Sequence, residues 1–272
     1  MNKSRIIVIV LALVIAIGIS GCTDNNDNNK LNSLNNLNSN NSIKLSYDIY
    51  IGDKIKAYKG YSVTDISKSI YNNNDNNDNN NESYELNITT ITSHDADTDT
   101  PIKSGHLIYA TDEFKPLYVL YKDNSTSPTI PERILEVNFK NNSALIYSKY
   151  LKRTGKGLSK SYSVTEKNET ISLNEQTYTQ MIIRFLKISN IPLAKGYKEQ
   201  FILVNQNMTI EVLGTENVKT PAGSFECWKV KEILHKSDKT ENSIIWYSTN
   251  RHIPIKIKND DTGLYQVLTK FD

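Results

Sequence analysis

The sequence predicts a mainly β domain of antiparallel strands with one amphipathic helix set among them. Apolar residues recur at every second position through most of the chain from Ile43 onward, the period of half-buried strands. Short Gly, Asn and Pro signals separate these runs as turns. A single segment, around Tyr178 to Leu186, changes to helical spacing.

The first residues serve export. Lys3 and Arg5 precede an apolar run from Ile6 to Ile17, and small residues follow up to Cys22, the layout of a secretory signal peptide over residues 1–21. The run is about 12 to 16 residues, short of the roughly 20 that a bilayer-spanning helix needs. Ile19-Ser20-Gly21-Cys22 resembles the lipobox of prokaryotic lipoproteins, which are cleaved before a cysteine whose sulfur has been alkylated by a lipid. That resemblance makes Cys22 the lipidated mature N-terminus. It implies an extracytoplasmic protein held at the outer face of a cytoplasmic membrane.

Residues 22–42 are polar and dominated by Asn, with too little apolar area to offset the entropy of ordering. As flexible coil, some 20 residues reach about 25 Å, so this linker holds a domain beside the membrane. Residues 43–272 then form one extracytoplasmic β domain. The net charge is +2, with Lys and Arg interleaved among Asp and Glu. No basic stripe tracks a phosphate backbone, so nucleic acid is not an expected partner. With Cys22 lipidated, Cys227 has no partner, and stability must come from the core.

Ile43, Leu45, Tyr47, Ile49 and Ile51 alternate with polar residues, and Gly52-Asp53 turns the chain into an antiparallel return, KIKAYKGYSVTDISKSIY. A second Asn tract after Tyr71 reads as a surface loop before Tyr84, Leu86, Ile88 and Ile91 resume the pattern. Strands are expected at His106–Ala110, Leu117–Tyr121, Leu135–Phe139 and Leu145–Tyr150, the last two joined by a tight turn at Lys140-Asn141-Asn142, and another around Tyr162 and Val164. Tyr178, Met181, Ile182, Phe185 and Leu186 then form one stripe of a helix over about 173–189. Ser172-Leu173-Asn174-Glu175 has the form of its capping box, and Pro192 lies beyond its end. Strands return at Phe201–Val204, Met208–Leu213, Phe225–Leu234, Ile244–Tyr247 and Ile253–Ile257. Thr220-Pro221-Ala222-Gly223 supplies a type I turn between two of them.

The chemistry-bearing residues form no catalytic constellation. His94, His106, His235 and His252 lack metal-ligand spacing, so no metal and no cofactor is expected. Asp95, Asp97 and Asp99 alternate as in a calcium loop but lack its glycine and distal Glu. No nucleophile elbow, zincin motif or P-loop occurs, and Gly155-Lys156-Gly157 reads as a turn. Cys227, between Phe225 and Trp228, reads as a small buried hydrophobe. The chain is therefore expected to be no enzyme. The stripe Tyr178, Met181, Ile182, Phe185 and Leu186 is the expected boundary of an apolar ligand site.

From about Ser161 onward the pattern resembles the exported domain family numbered 3108 among domains of unknown function. The likeness rests on YTQMIIRFLK with Pro192-Leu193-Ala194-Lys195-Gly196, on VLGTENVKTPAGSF from Val212 to Phe225, on Trp246-Tyr247-Ser248 and on Ile253-Pro254-Ile255-Lys256-Ile257. It covers roughly the last 110 residues, and the earlier half agrees only in being strand-rich. The resemblance implies that T-P-A-G links two hairpin strands and that the two later pieces form closing strands. It further implies one strongly curved antiparallel sheet, a half-open barrel like the carriers of lipoprotein localisation, with the helix on its concave face. Such a face can hold a lipid or acyl chain; the alternative is an envelope structural or assembly protein in which the sheet merely packs its helix and presents a surface to a protein partner.

Overall fold

The structure, a computed structural model, describes Leu37 and residues 41–52, 57–71, 82–93, 101–125, 133–154, 161–174, 176–204 and 206–272. The signal segment, Cys22, the second Asn tract, His94 to Asp99 and the Gly155-Gly157 pair lie outside them. Ser33–Asp272 forms one compact unit.

Eight strands precede the helical segment: β1 (Ser42–Ile51), β2 (Ala57–Ile70), β3 (Glu82–Ser93), β4 (Pro101–Ala110), β5 (Pro116–Ser125), β6 (Arg133–Lys140), β7 (Ser143–Thr154) and β8 (Ser161–Ser172). Then come β9 (Thr177–Tyr178), α1 (Gln180–Phe185) and a 3₁₀ turn (Lys187–Asn190). The rest is β10 (Lys198–Leu203), β11 (Asn207–Thr220), β12 (Gly223–His235), β13 (Thr240–Ser248), β14 (Pro254–Asn259) and β15 (Leu264–Phe271).

All fifteen strands join one sheet, ordered β8-β7-β6-β5-β4-β3-β2-β1-β15-β14-β13-β12-β11-β10-β9. Neighbours are antiparallel except β9 and β10, which pair in parallel. Two meandering arms therefore spread from the β1–β15 ladder. The outermost strands, β8 and β9, are consecutive in the chain, with only residues 173–176 between them. Four residues bridge at most about 18 Å. Fifteen strands laid flat at about 4.8 Å each would separate those edges by more than 60 Å. The sheet is consequently curled until its two edges approach, as in a barrel with an open seam.

The register identifies the inner face. Ile49 lies opposite Gln266, Gln266 opposite Ile257, Ile257 opposite Ile245, Ile245 opposite Val230 and Val230 opposite Val212, so these six share one face. Leu45, Tyr47, Leu86 and Ile108 share it on the other arm. Ile182, Phe185 and Leu186 pack in a cluster with Leu45, Tyr47, Ile66, Leu86 and Ile108. Ile183, from the same short helix, packs with Met208, Ile210, Val212, Val230 and Ile245. The short helical segment thus contributes side chains to core clusters that draw on strands of both arms.

The helix is shorter than the sequence reading. It spans Gln180–Phe185 and passes at Leu186 into the 3₁₀ turn, rather than covering 173–189. The expected capping box does not start it. The Asn174 side chain instead accepts a hydrogen bond from Gln176 N at 3.0 Å, and Thr177 and Tyr178 enter the parallel pairing with β10. Thr179 is the cap, its Oγ1 accepting from Ile182 N at 3.3 Å. Hairpins form where expected at Asn141-Asn142, with Asn141 in the left-handed region (φ 42°), and at Pro221-Ala222, where Thr220 pairs with Gly223. Strand β15 was missed. It buries a residue on each face, Leu268 opposite the inward Tyr47 and Tyr265 stacked at 5.2 Å on Tyr50, three positions apart, which period-two reading does not detect.

Candidate functional site

Two regions of the inner face differ in how they are filled. In the first, α1 sits against β12 and β13 and brings a charged pair into the core. Glu232, on β12 between inward-facing Val230 and Leu234, is almost fully buried. Its Oε2 accepts a hydrogen bond from Arg184 Nε at 2.9 Å, and its Oε1 accepts from Arg184 Nη2 at 2.6 Å and from Gln180 Nε2 at 2.5 Å. Arg184 and Gln180 stand one helical turn apart, so both reach the same carboxylate. Burial opposes the charge on Arg184, and the Glu232 carboxylate more than offsets it, holding the guanidinium pKa above its usual value. Beside the pair, burial raises the Tyr247 hydroxyl well above its ordinary range, and raises Tyr47, whose hydroxyl donates to Pro254 O at 2.9 Å. The carboxylate is committed to three donors, the tyrosines stay protonated, and the guanidinium stays charged. This cluster is a fixed polar clamp rather than an acid–base centre.

The second region is the inner face of β5 to β8. The register carries the row Ile108, Val119, Val137 and Ile146 outward from β4, and the next row is His106, Tyr121, Leu135 and Ser148. Ile108, Ala110 and Val137 are buried, Ile146 is half-buried, Leu135 is 38% exposed and Tyr150 is 42% exposed. The same face that is core on β1 to β4 thus stays apolar on β5 to β7 while opening to solvent.

The stripe expected to bound a ligand site divides. Ile182 and Leu186 are fully buried and Phe185 nearly so, all within the packed core. Tyr178 and Met181 are half-buried at its margin. Tyr178 belongs to β9, meets Phe201 edge-on at 6.0 Å, and has Lys187 Nζ 5.5 Å from its ring centre beside a cavity of about 490 Å³. The half-open residues Leu135, Ile146 and Tyr150 were not singled out in the sequence, because alternation reports which face a residue occupies and not what covers that face. Cys22 lies outside the described residues.

The histidines stay apart. His106 tilts against Tyr121 at 4.7 Å, with its pKa lowered by burial. His235 Nε2 meets Thr209 Oγ1 at 3.0 Å, and His252 Nδ1 lies 3.3 Å from Ser189 O. Among the described residues no three His, Cys, Asp or Glu side chains gather as metal ligands. Cys227 is fully buried, and burial first, then the nearby Glu216 and Glu226, pushes its thiol up to about 12. It is therefore a thiol, not a thiolate, near neutral pH.

The family described as Protein of unknown function (DUF3108) matches residues 46–267, so the likeness extends through the first half of the chain as well as the second. Among solved structures, the chain is similar to a β-barrel-like protein of the domain of unknown function DUF1849 from Brucella abortus. The identity is 11%, the TM-score 0.55, and 85% of this chain and 97% of that one are covered. A putative exported protein with YmcC-like fold from Bacteroides fragilis also aligns, at 13% identity and a TM-score of 0.30, over 85% of this chain and 95% of that one. No curated protein matches.

Proposed function

Because the chain belongs to the DUF3108 family, whose function is unknown, and has a β-barrel-like fold, we propose a non-enzymatic binding module that receives an apolar ligand on the concave face of β5 to β7. The observation that carries this reading is the group of apolar, half-open side chains Leu135, Ile146 and Tyr150, on three successive rows of the face that is closed core on β1 to β4. Leaving them in water forgoes part of the roughly 1.5–3 kcal/mol that burying each would contribute. A lipid or acyl chain fits such a surface, since each methylene buried there contributes about 0.8 kcal/mol and no directional partner is needed.

Binding of a fluorescent fatty acid to the Ser33–Asp272 unit tests this. Leu135→Asp should weaken association at least tenfold and leave the thermal midpoint close to that of the wild type, because the side chain is already partly in solvent. If the unmutated unit binds no lipid probe, the reading gives way to an envelope assembly protein that docks a protein partner. Leu145 and Val164, exposed on the opposite face of β7 and β8, favour that alternative.

The module works, in this proposal, from the outer face of a cytoplasmic membrane, tethered by a lipid on Cys22. Cys22→Ser should leave an uncleaved precursor or release the protein into the medium. A variant processed and retained like the wild type would overturn the anchor.

A further inference from the structure

We propose that the outer face of β6 to β8 is a glycan-binding platform, separate from the apolar surface on the opposite side of the same strands. Two cross-strand rungs build it. In one, Tyr147 of β7 lies directly between Glu136 of β6 and Asn168 of β8. In the other, Leu145 lies between Asn138 and Thr170. The six side chains line a groove of about 340 Å³.

The arrangement is apolar along its central strand and hydrogen-bonding along both margins. The strands span about 10 Å and the rungs stand about 7 Å apart, the footprint of one sugar ring. A pyranose with equatorial hydroxyls has that same pattern, with apolar C–H faces ringed by groups that both donate and accept. Its face fits over Tyr147 and Leu145. Its rim reaches Glu136, which only accepts, and Asn138, Asn168 and Thr170, which do both. Leu145 is 41% exposed and Tyr147 half-exposed, so the central strip is accessible.

The platform continues beyond one ring. Tyr118 lies opposite Asn138 on the same rung, and its hydroxyl donates to Glu136 Oε1 at 3.1 Å, fixing that carboxylate. Tyr71 stacks at 4.8 Å on Tyr109 and at 5.9 Å on Tyr118, so three aromatic rings extend the surface toward β4. The two rungs carry one carboxylate, Glu136, and no cation, which disfavours phosphate-bearing polymers, while Glu169 stands opposite Ile146 on the other face, paired with Lys167. A chain of neutral sugars with equatorial linkages is the ligand class that fits.

Calorimetric titration of the full-length chain in mild detergent with cellohexaose and with chitohexaose tests the platform. Association with at least one of them is expected, weakened tenfold or more by Tyr147→Ala and by Asn168→Ala, and unchanged by Leu135→Asp on the inner face. Because Asn168 is exposed, its variant keeps the test sharp if Tyr147→Ala folds poorly. The proposal fails if neither oligosaccharide binds, if both outer-face variants bind like the wild type, or if Leu135→Asp removes binding. It also fails if mass spectrometry finds a covalent sugar on Asn168, since Asn168-Glu169-Thr170 is a glycosylation triplet and the groove would then be covered by its own glycan.

Discussion

Glu232→Ala is expected to destabilise the protein by about 3–5 kcal/mol, because it leaves the Arg184 guanidinium buried without a counter-charge and Gln180 without its acceptor. For a domain of this size that lowers the thermal midpoint by roughly 10 °C. Urea unfolding followed by circular dichroism measures it. The double variant Glu232→Met, Arg184→Leu should recover most of the loss, since removing both charges avoids the desolvation cost of either alone. A single variant within about 1 kcal/mol of the wild type would mean that Arg184 swings out to solvent, and that the clamp does not hold α1 in place.

Phe185→Ala should cost about 3–5 kcal/mol, the range for an aromatic side chain deleted from a close-packed core. Phe185 packs in the same cluster as Leu86, Ile108 and Phe114, which cannot collapse onto the space it vacates without moving the strands. Met181→Ala, at a half-buried margin with a flexible thioether, should cost distinctly less. The same two variants locate the ligand surface. If Phe185→Ala proved mild and altered fatty-acid binding, the helix face rather than β5 to β7 would line the site.

The sequence was most legible where local chemistry decides structure. Ile43 to Ile51 needed only alternation, and the Asn141-Asn142 and Pro221-Ala222 turns followed from residues suited to those backbone angles. It was misleading where two local signals competed. Ser172 to Glu175 satisfies the pattern of a capping box, yet Asn174 prefers its own Asx turn, and the chain spends Thr177 and Tyr178 on a parallel bridge to β10 before Thr179 caps the helix. Neither partner of that bridge is visible from 173–189 alone. The open inner wall was illegible for a different reason. Leu86 and Leu135 lie on one face of equally alternating strands, yet Leu86 belongs to the closed core and Leu135 is 38% exposed, a difference set by what lies over each and not by local pattern. The outer-face groove likewise depends on three strands lying in one register. In sequence Asn168 is only the start of an Asn-x-Thr triplet, whereas its place opposite Tyr147 gives it neighbours that no local window contains.

The ladder between β1 and β15 has a consequence for the order in which the molecule can be completed. It joins residues far apart in the chain: Thr269 Oγ1 donates to Ser46 O across 223 positions, and beside the ladder the Tyr47 hydroxyl donates to Pro254 O of β14 across 207. As the chain emerges, β1 to β8 can zip into successive hairpins within their own neighbourhood, but the inward edge of β1 stays unsatisfied until β15 arrives. Loop closure over such distances is slow, and an unpaired apolar edge strand is meanwhile free to pair with another chain. The half-made protein is thus at its most aggregation-prone just before its final strand appears, so factors that shield strand edges should matter more to its yield than factors that speed local folding.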